Sequence, residues 1–325
     1  MDLFTHALLP YLFGKVQNVK KEYLTALILG GIAPDFDVFI MGVSGIFPSL
    51  FIITHRGITH SFLFGLLTMM AVLYLASRQK IRNKIRKYVD FNPVFSRENI
   101  MFGYFGVVLH LFLDGVTTRG VPLFYPFEIA RYSAEVFFYT DTFLMIVSLA
   151  IVVYIFKKPV QKHTAVKFLL IFLIAFAVMG GLRIVEKNDA LDFFEGGGKQ
   201  AFPTMNPFEW YVLSDGEIIT TYQYNGMNSL SQYNETVQRL NVLSGGAGLD
   251  AALTTAGELP QVKSFKWRAH AVAINATFGN ETWLLEYYDP LQRSEMRSAP
   301  AVLRRGFSRF SALNVSMKNG NASVV

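Results

Sequence analysis

Residues 100–118 read IMFGYFGVVLHLFLDGVTT, an apolar run interrupted near its end by His110 and Asp114. An α-helix sets residues four apart on one face, one turn from each other. At that spacing an imidazole nitrogen and a carboxylate oxygen can reach a single cation. Burying both groups in an apolar helix is costly unless each finds a partner, and ionisable groups within membrane segments mark functional sites. The stretch therefore predicts a membrane-crossing helix that carries part of a site.

Similar apolar segments lie at 58–77, 142–156 and 167–186. With 100–118 they approach the roughly 20 residues that cross a bilayer. Two weaker segments, 3–14 and 22–41, read as a short helix pair entering the same domain, the second broken by Gly30, Gly31 and Pro34. The whole chain of 325 residues is 52% hydrophobic, with a mean hydropathy of +0.32, too apolar for an ordinary soluble pair of domains. The expected fold is mainly α: a polytopic helical membrane bundle over residues 1–190, followed by a small β-rich extracytoplasmic domain over 191–325. The absence of Cys excludes disulfides, thiolate metal sites and a cysteine nucleophile.

The net charge of +6 at first suggests nucleic acid, but its distribution does not. Before residue 190 there are 19 Lys/Arg against 12 Asp/Glu, and after it 11 against 12. The excess sits in three loops: Lys15, Lys20 and Lys21; Arg78 to Lys87; and Lys157 to Lys167. Placing these inside the cell threads 58–77 inward, 100–118 outward, 142–156 inward and 167–186 outward. Everything after residue 190 is then extracytoplasmic, and the chain is a multi-pass protein of the cell's inner or plasma membrane. The N-terminus lacks the basic region and cleavage site of a removable signal peptide. The five N-x-S/T sequons, at Asn234, Asn275, Asn280, Asn314 and Asn321, all fall in the tail. In that tail, Asp215-Gly216 and Gly279-Asn280 each sit between β-prone runs and predict hairpins. Residues 241–260 read as a loop or weak helix.

Four short patterns carry the candidate chemistry: Asp2-Leu-Phe-Thr-His6, Pro34-Asp35-Phe-Asp37, His55-Arg56-Gly-Ile-Thr-His60-Ser, and His110 with Asp114. The threading brings all four to the extracytoplasmic end. His6, Asp35, Asp37, His55, His60, His110 and Asp114 are the candidate metal ligands, too many for one ion and sufficient for two or three. Imidazole and carboxylate without thiolate suit Zn2+, with Mn2+ or Fe2+ as alternatives. Asp35 and Arg56 are the catalytic candidates, Arg56 as a bidentate grip on a phosphate. Asp2, Thr5, Thr59 and Asp141 are placed to orient the imidazoles. His163 and His270 read as ordinary surface or packing residues.

D-x-x-T-H (2–6), P-D-x-D (34–37), H-R-G-x-T-H-S (55–61) and H-x-x-x-D-x-x-T-x-x-G (110–120) together resemble the YdjM-type family of membrane-bound, metal-dependent hydrolases. P-L-F-Y-P-F (122–127) and N-P-F-E-W (206–210) extend the resemblance to about residue 215. That family is distantly similar to the zinc-dependent phospholipase C and P1-type nuclease group. The resemblance implies a phosphoester hydrolase, with His6, His60, His110 and Asp114 as the best matched ligands. The chain begins Met1-Asp2, where the secreted enzymes carry a Trp whose amino group binds zinc, and it lacks their second H-x-x-x-D pair.

The expected function is an integral-membrane hydrolase that uses a metal-activated water on a phosphoester of a lipid or lipid-linked substrate. A metal or ion transporter, or a non-catalytic protein stabilised by its metal, is the alternative. Segments 142–156 and 167–182 are nearly free of polar residues, which disfavours an ion route. The basic run 78–88 reads as a loop facing anionic headgroups, and no nucleic-acid partner is expected.

Overall fold

The computed structural model describes residues 1–158, 160–195, 197–228, 230–298 and 312–325. In chain order the helices are α1 (Leu3–Val16), α2 (Lys21–Ile32), α3 (Gly42–Ile46), α4 (Phe62–Ser77), α5 (Gln79–Ile85), α6 (Arg97–Gly115), α7 (Thr142–Lys157) and α8 (Lys162–Phe193). Short 3-10 helices at Pro34–Phe39 and Ile58–His60 lie between them. The chain divides into two compact units, Met1–Val43 with Ile52–Val185, and Ser44–Phe51 with Glu186–Val325.

The first unit has two apolar cores. One gathers Leu8, Leu9, Leu12, Leu113, Leu144 and Phe172 from α1, α6, α7 and α8. The other gathers Ala26, Leu29, Met69, Leu73, Val107 and Leu111 from α2, α4 and α6. Helix α4 is apolar all round, yet buries only Gly65, Met69, Leu73 and Ala76, one stripe at a spacing of three or four. Helix α6 starts where Ser96 accepts a hydrogen bond from Asn99 N–H, with Glu98 in the first turn. Ser96→Ala should cost about 1 kcal/mol, seen as a lower thermal midpoint in detergent with the bound-metal content unchanged.

Glycines do not break α2. A Cβ at Gly30 would lie 1.8 Å from the carbonyl oxygen of Gly103, and one at Gly106 would lie 2.2 Å from that of Leu27. Helices α2 and α6 therefore cross backbone to backbone, a packing that only missing side chains permit. Pro34 then opens the 3-10 helix, where its fixed φ and absent N–H are tolerated.

The expected mainly-α polytopic bundle is not what forms. Of the described residues, 52% are helix and 19% strand, with sheets of four and five strands among them. Among the described residues only α8 is by itself long and apolar enough to cross a membrane. Up to three spans result if two bent pairs each make one: α2 with Pro34–Ile46, bent by 53°, and α4 with α5, bent by 80°. The segments at 58–77, 100–118 and 142–156 fail for separate reasons. Helices α4 and α7 have 16 residues each, about 24 Å of rise against a hydrocarbon layer of about 30 Å. Helix α6 carries Arg97, Glu98 and Asp114 and buries Gly103, Gly106, Val107, His110, Leu111 and Leu113 inside the unit. Its apolar composition serves a protein core, which hydropathy alone cannot tell from a span. The four-span threading falls with that bundle.

The second unit holds both sheets. Strands β1 (Lys199–Pro203), β2 (Glu209–Ser214), β3 (Ile218–Asn225) and β4 (Leu230–Gln238) form an antiparallel meander. Strand β5 (Leu240–Ser244) leads through α9 (Leu249–Gly257) and α10 (Pro260–Arg268) to β6 (Ala273–Gly279), which pairs with it in parallel. Strand β7 (Thr282–Tyr288), helix α11 (Pro290–Ser298) and strands β8 (Ala312–Lys318) and β9 (Asn321–Val324) complete the five-stranded sheet in the order β5-β6-β7-β8-β9. Both expected hairpins are present. The second turns at Asn280 and Glu281, each at positive φ, one residue beyond the expected Gly279-Asn280. Within 241–260, β5 is a strand that only its pairing with β6 reveals.

Candidate metal centre

His110 and Asp114 project from the last turns of α6 into the first unit, and both are fully buried. The His110 ring Nδ1 lies 2.7 Å from the carbonyl oxygen of Gly31, to which it donates, leaving Nε2 turned to the opposite side. The backbone approach of α2 to α6 is what brings that carbonyl within reach. His60, from the 3-10 helix Ile58–His60, turns its Nδ1 toward Asp37 Oδ2 at 3.2 Å and Thr59 Oγ1 at 3.0 Å. Its Nε2 faces the same spot as that of His110.

Four separations define that spot. His60 Nε2 stands 3.4 Å from Asp35 Oδ1 and 3.5 Å from Asp114 Oδ2; His110 Nε2 stands 3.6 Å and 3.5 Å from the same two oxygens. Two ligands at about 2.0–2.1 Å on a tetrahedral ion lie about 3.3 Å from each other. The Nε2 atoms of His60 and His110 and Oδ2 of Asp114 are buried and make no hydrogen bond. Asp35, His60, His110 and Asp114 thus form a group that can hold a metal ion, and Asp37, His55 and His60 form a second such group, sharing His60.

His6 on α1 stacks on His110 with ring centroids 3.8 Å apart, and its Nε2 is 3.2 Å from Asp114 Oδ1. His55 is 31% exposed and places Nδ1 3.0 Å from Asp37 Oδ1; Asp35 is 19% exposed. The remaining site side chains are essentially sealed from solvent. Asp37 takes a third hydrogen bond from the Thr59 hydroxyl. Thr59 therefore touches the His60 imidazole as expected. Asp2 and Thr5 instead bond each other, Thr5 also meeting Ser148, while Asp141 caps α7 and pairs with Arg183.

Arg56 is buried in the left-handed region at φ 51, and Gly57 follows it where a Cβ would lie 1.9 Å from the carbonyl oxygen of Ile52. That strained turn sends the guanidinium inward, stacked on the Tyr139 ring. It donates to Thr117 Oγ1 at 2.6 Å and to the Tyr139 carbonyl at 3.3 Å, and pairs with Asp114 Oδ1 at 3.0 Å. Arg56 thereby holds one Asp114 oxygen and leaves the other facing His60 and His110. The Met1 amino group is also buried against Asp114 Oδ1. Gly31, Thr117, Tyr139 and Met1 were not foreseen; only the T-x-x-G of the last motif hinted at Thr117.

Burial, then the neighbouring His110, drive the His6 imidazole down to about 3 from 6.5, so it stays neutral. Burial opposes ionisation of Asp114, but Arg56 and the Met1 amino group outweigh it and hold the carboxyl well below its usual value. Burial also works against His60, yet the facing Asp35, Asp37 and Asp114 carboxylates raise it. A neutral buried His6 stabilises the fold above pH 6.5, and that stability is lost as pH falls toward 3. The raised His60 acts oppositely, its contribution being complete below 6.5 and lost as pH rises. With a chelator present, stability should therefore fall between pH 6 and 4.5, by up to about 1.4 kcal/mol per pH unit from His6 alone. His6→Gln should flatten that slope in thermal unfolding.

The four sequence patterns that meet here all lie within residues 1–187, and this stretch matches the profile of the YdjM inner membrane protein family. The chain belongs to that family. It is a membrane protein with buried His/Asp groups able to bind metal. The second unit lies almost entirely beyond the family match. No curated protein and no solved structure was found to match the chain.

Proposed function

We propose that this YdjM-family protein is a metal-dependent hydrolase that cleaves a phosphoester of a lipid or lipid-linked substrate. The observation carrying it is the convergence of buried, unbonded His60 Nε2, His110 Nε2 and Asp114 Oδ2 beside the partly exposed Asp35. A donor set of imidazole and carboxylate, with no thiolate, favours Zn2+ over softer or harder alternatives. Asp35, His60, His110 and Asp114 would hold one ion, fewer than the two or three expected from the ligand count. His60 spends its Nδ1 on Asp37 and Thr59, so Asp37 and His55 serve as its hydrogen-bonded support. Bound there, zinc supplies Lewis acidity and a hydrolytic nucleophile at neutral pH.

Asp35 is the carboxylate that solvent reaches, and it is placed to take a proton from an attacking water. Arg56 acts by fixing Asp114, since both of its terminal nitrogens are engaged within the protein. The lysines at 157, 158, 162 and 167 flank the first turns of α8. Holding that end in the cytoplasm puts the residues after Phe193 outside the cell.

Elemental analysis of the purified full chain should give about one zinc per chain, and His110→Ala should abolish it. A screen of phosphodiesters and phospholipids on the same samples should show zinc-dependent release of phosphate esters that a chelator stops. A metal-replete protein that cleaves none of them would overturn the hydrolase assignment.

A further inference from the structure

The 3-10 helix Pro34–Phe39 has two dissimilar sides. Asp37 is buried in the hydrogen-bond network of His60, and Asp35 stands at the edge of the metal centre. Directly after them, Val38 is 54%, Phe39 82% and Ile40 42% exposed. No charged residue occurs from Val38 to Thr54. The two centre residues that solvent reaches, Asp35 and His55, flank this uncharged stretch in sequence. Three consecutive large apolar side chains beside a polar centre are costly to leave in water. The same segment, joined to α2, passes as a broken span or re-entrant loop by length and composition.

We propose that Val38, Phe39 and Ile40 form a lip immersed in the acyl chains of the bilayer, so that the centre opens toward lipid and receives an amphipathic substrate from within the membrane. The occupant of this surface is lipid. Water would leave the apolar side chains solvated at a cost, and a protein partner would have to match a stretch without a single charge. Lipid contact stands on exposure and composition alone; the substrate class follows only if the cluster is a hydrolytic centre. An amphipathic substrate would keep its tail beside Phe39 while its headgroup reaches Asp35, three residues away from Val38.

The chain has no cysteine, so a single Phe39→Cys variant can carry one nitroxide on the full protein. Reconstituted in phosphatidylcholine/phosphatidylglycerol vesicles, the label should collide several-fold more often with oxygen than with a water-soluble nickel chelate. Ile174→Cys, exposed on the spanning helix α8, supplies the lipid reference, and Asn228→Cys, exposed in the second unit, the aqueous one. Nickel collisions exceeding oxygen collisions at position 39 would place the lip in water and overturn the proposal. Suppression of both would mean a protein cover, such as a second copy of this chain, and would overturn it equally. Metal content of the labelled protein is read in parallel. Loss of zinc with lipid-like collisions would count against the hydrolase assignment, not against the lip.

Discussion

Asp114→Ala should strip the protein of bound metal, to under a tenth of wild type by elemental analysis, and lower its thermal midpoint by about 10 °C. Asp114 is the residue on which the centre's charges converge. It faces the Arg56 guanidinium, the Met1 amino group and the three imidazoles of His6, His60 and His110. Removing it leaves a buried guanidinium without its counter-charge, a change that typically costs about 3–5 kcal/mol. At about 2–4 °C per kcal/mol for a unit of this size, the midpoint shift follows. A double variant, Asp114→Leu with Arg56→Met, separates the two effects. It should recover much of the stability, because an apolar pair can replace a buried ion pair, and none of the metal. Wild-type metal content in Asp114→Ala would remove Asp114 from the ligand set.

Gly30→Ala should destabilise the first unit by about 3 kcal/mol or more, beyond ordinary overpacking, because the obstacle is backbone. The new methyl would fall 1.8 Å from the Gly103 carbonyl oxygen, with no flexible side chain to yield. Helices α2 and α6 must then part. Gly31, the next residue, supplies the carbonyl 2.7 Å from His110 Nδ1, so the separation should also cost metal affinity. Gly106→Ala, meeting the Leu27 carbonyl oxygen at 2.2 Å, should behave alike. Gly115→Ala on the same α6 meets nothing within 4 Å and should leave both the midpoint and the metal content at wild-type level. Equal midpoints for Gly30→Ala and Gly115→Ala would show that the crossing is looser than described.

The local patterns name His and Asp residues that the structure gathers into two groups, and each pattern is a short-range statement. His110 and Asp114 share a helix face by spacing alone. The number of spans was not legible in the same way. Helix α6 is as apolar as a span because it lies inside a packed unit, and α4 looks uniformly apolar although one stripe faces the core. Hydropathy records what a side chain avoids, and both lipid and a protein interior satisfy it. Strand β5 was invisible for a related reason: its pairing with β6 joins residues separated by two helices.

Composition and spacing by themselves determined an oxygen-and-nitrogen ligand chemistry, a membrane protein, and the residues His6, Asp35, Asp37, His55, His60, His110 and Asp114 as the chemically capable set. Which nitrogen of each imidazole faces inward was decided by tertiary structure. So was the division of that set into the group around Asp35 and Asp114 and the group around Asp37, with His6 in neither. Those choices depend on the Gly31 carbonyl, the Asp37 carboxylate and the Arg56 guanidinium, which reach the site from different elements. A sequence pattern fixes the donors a chain carries, whereas their directions are set by hydrogen bonds that exist only once α2, α6 and the 55–60 turn have packed.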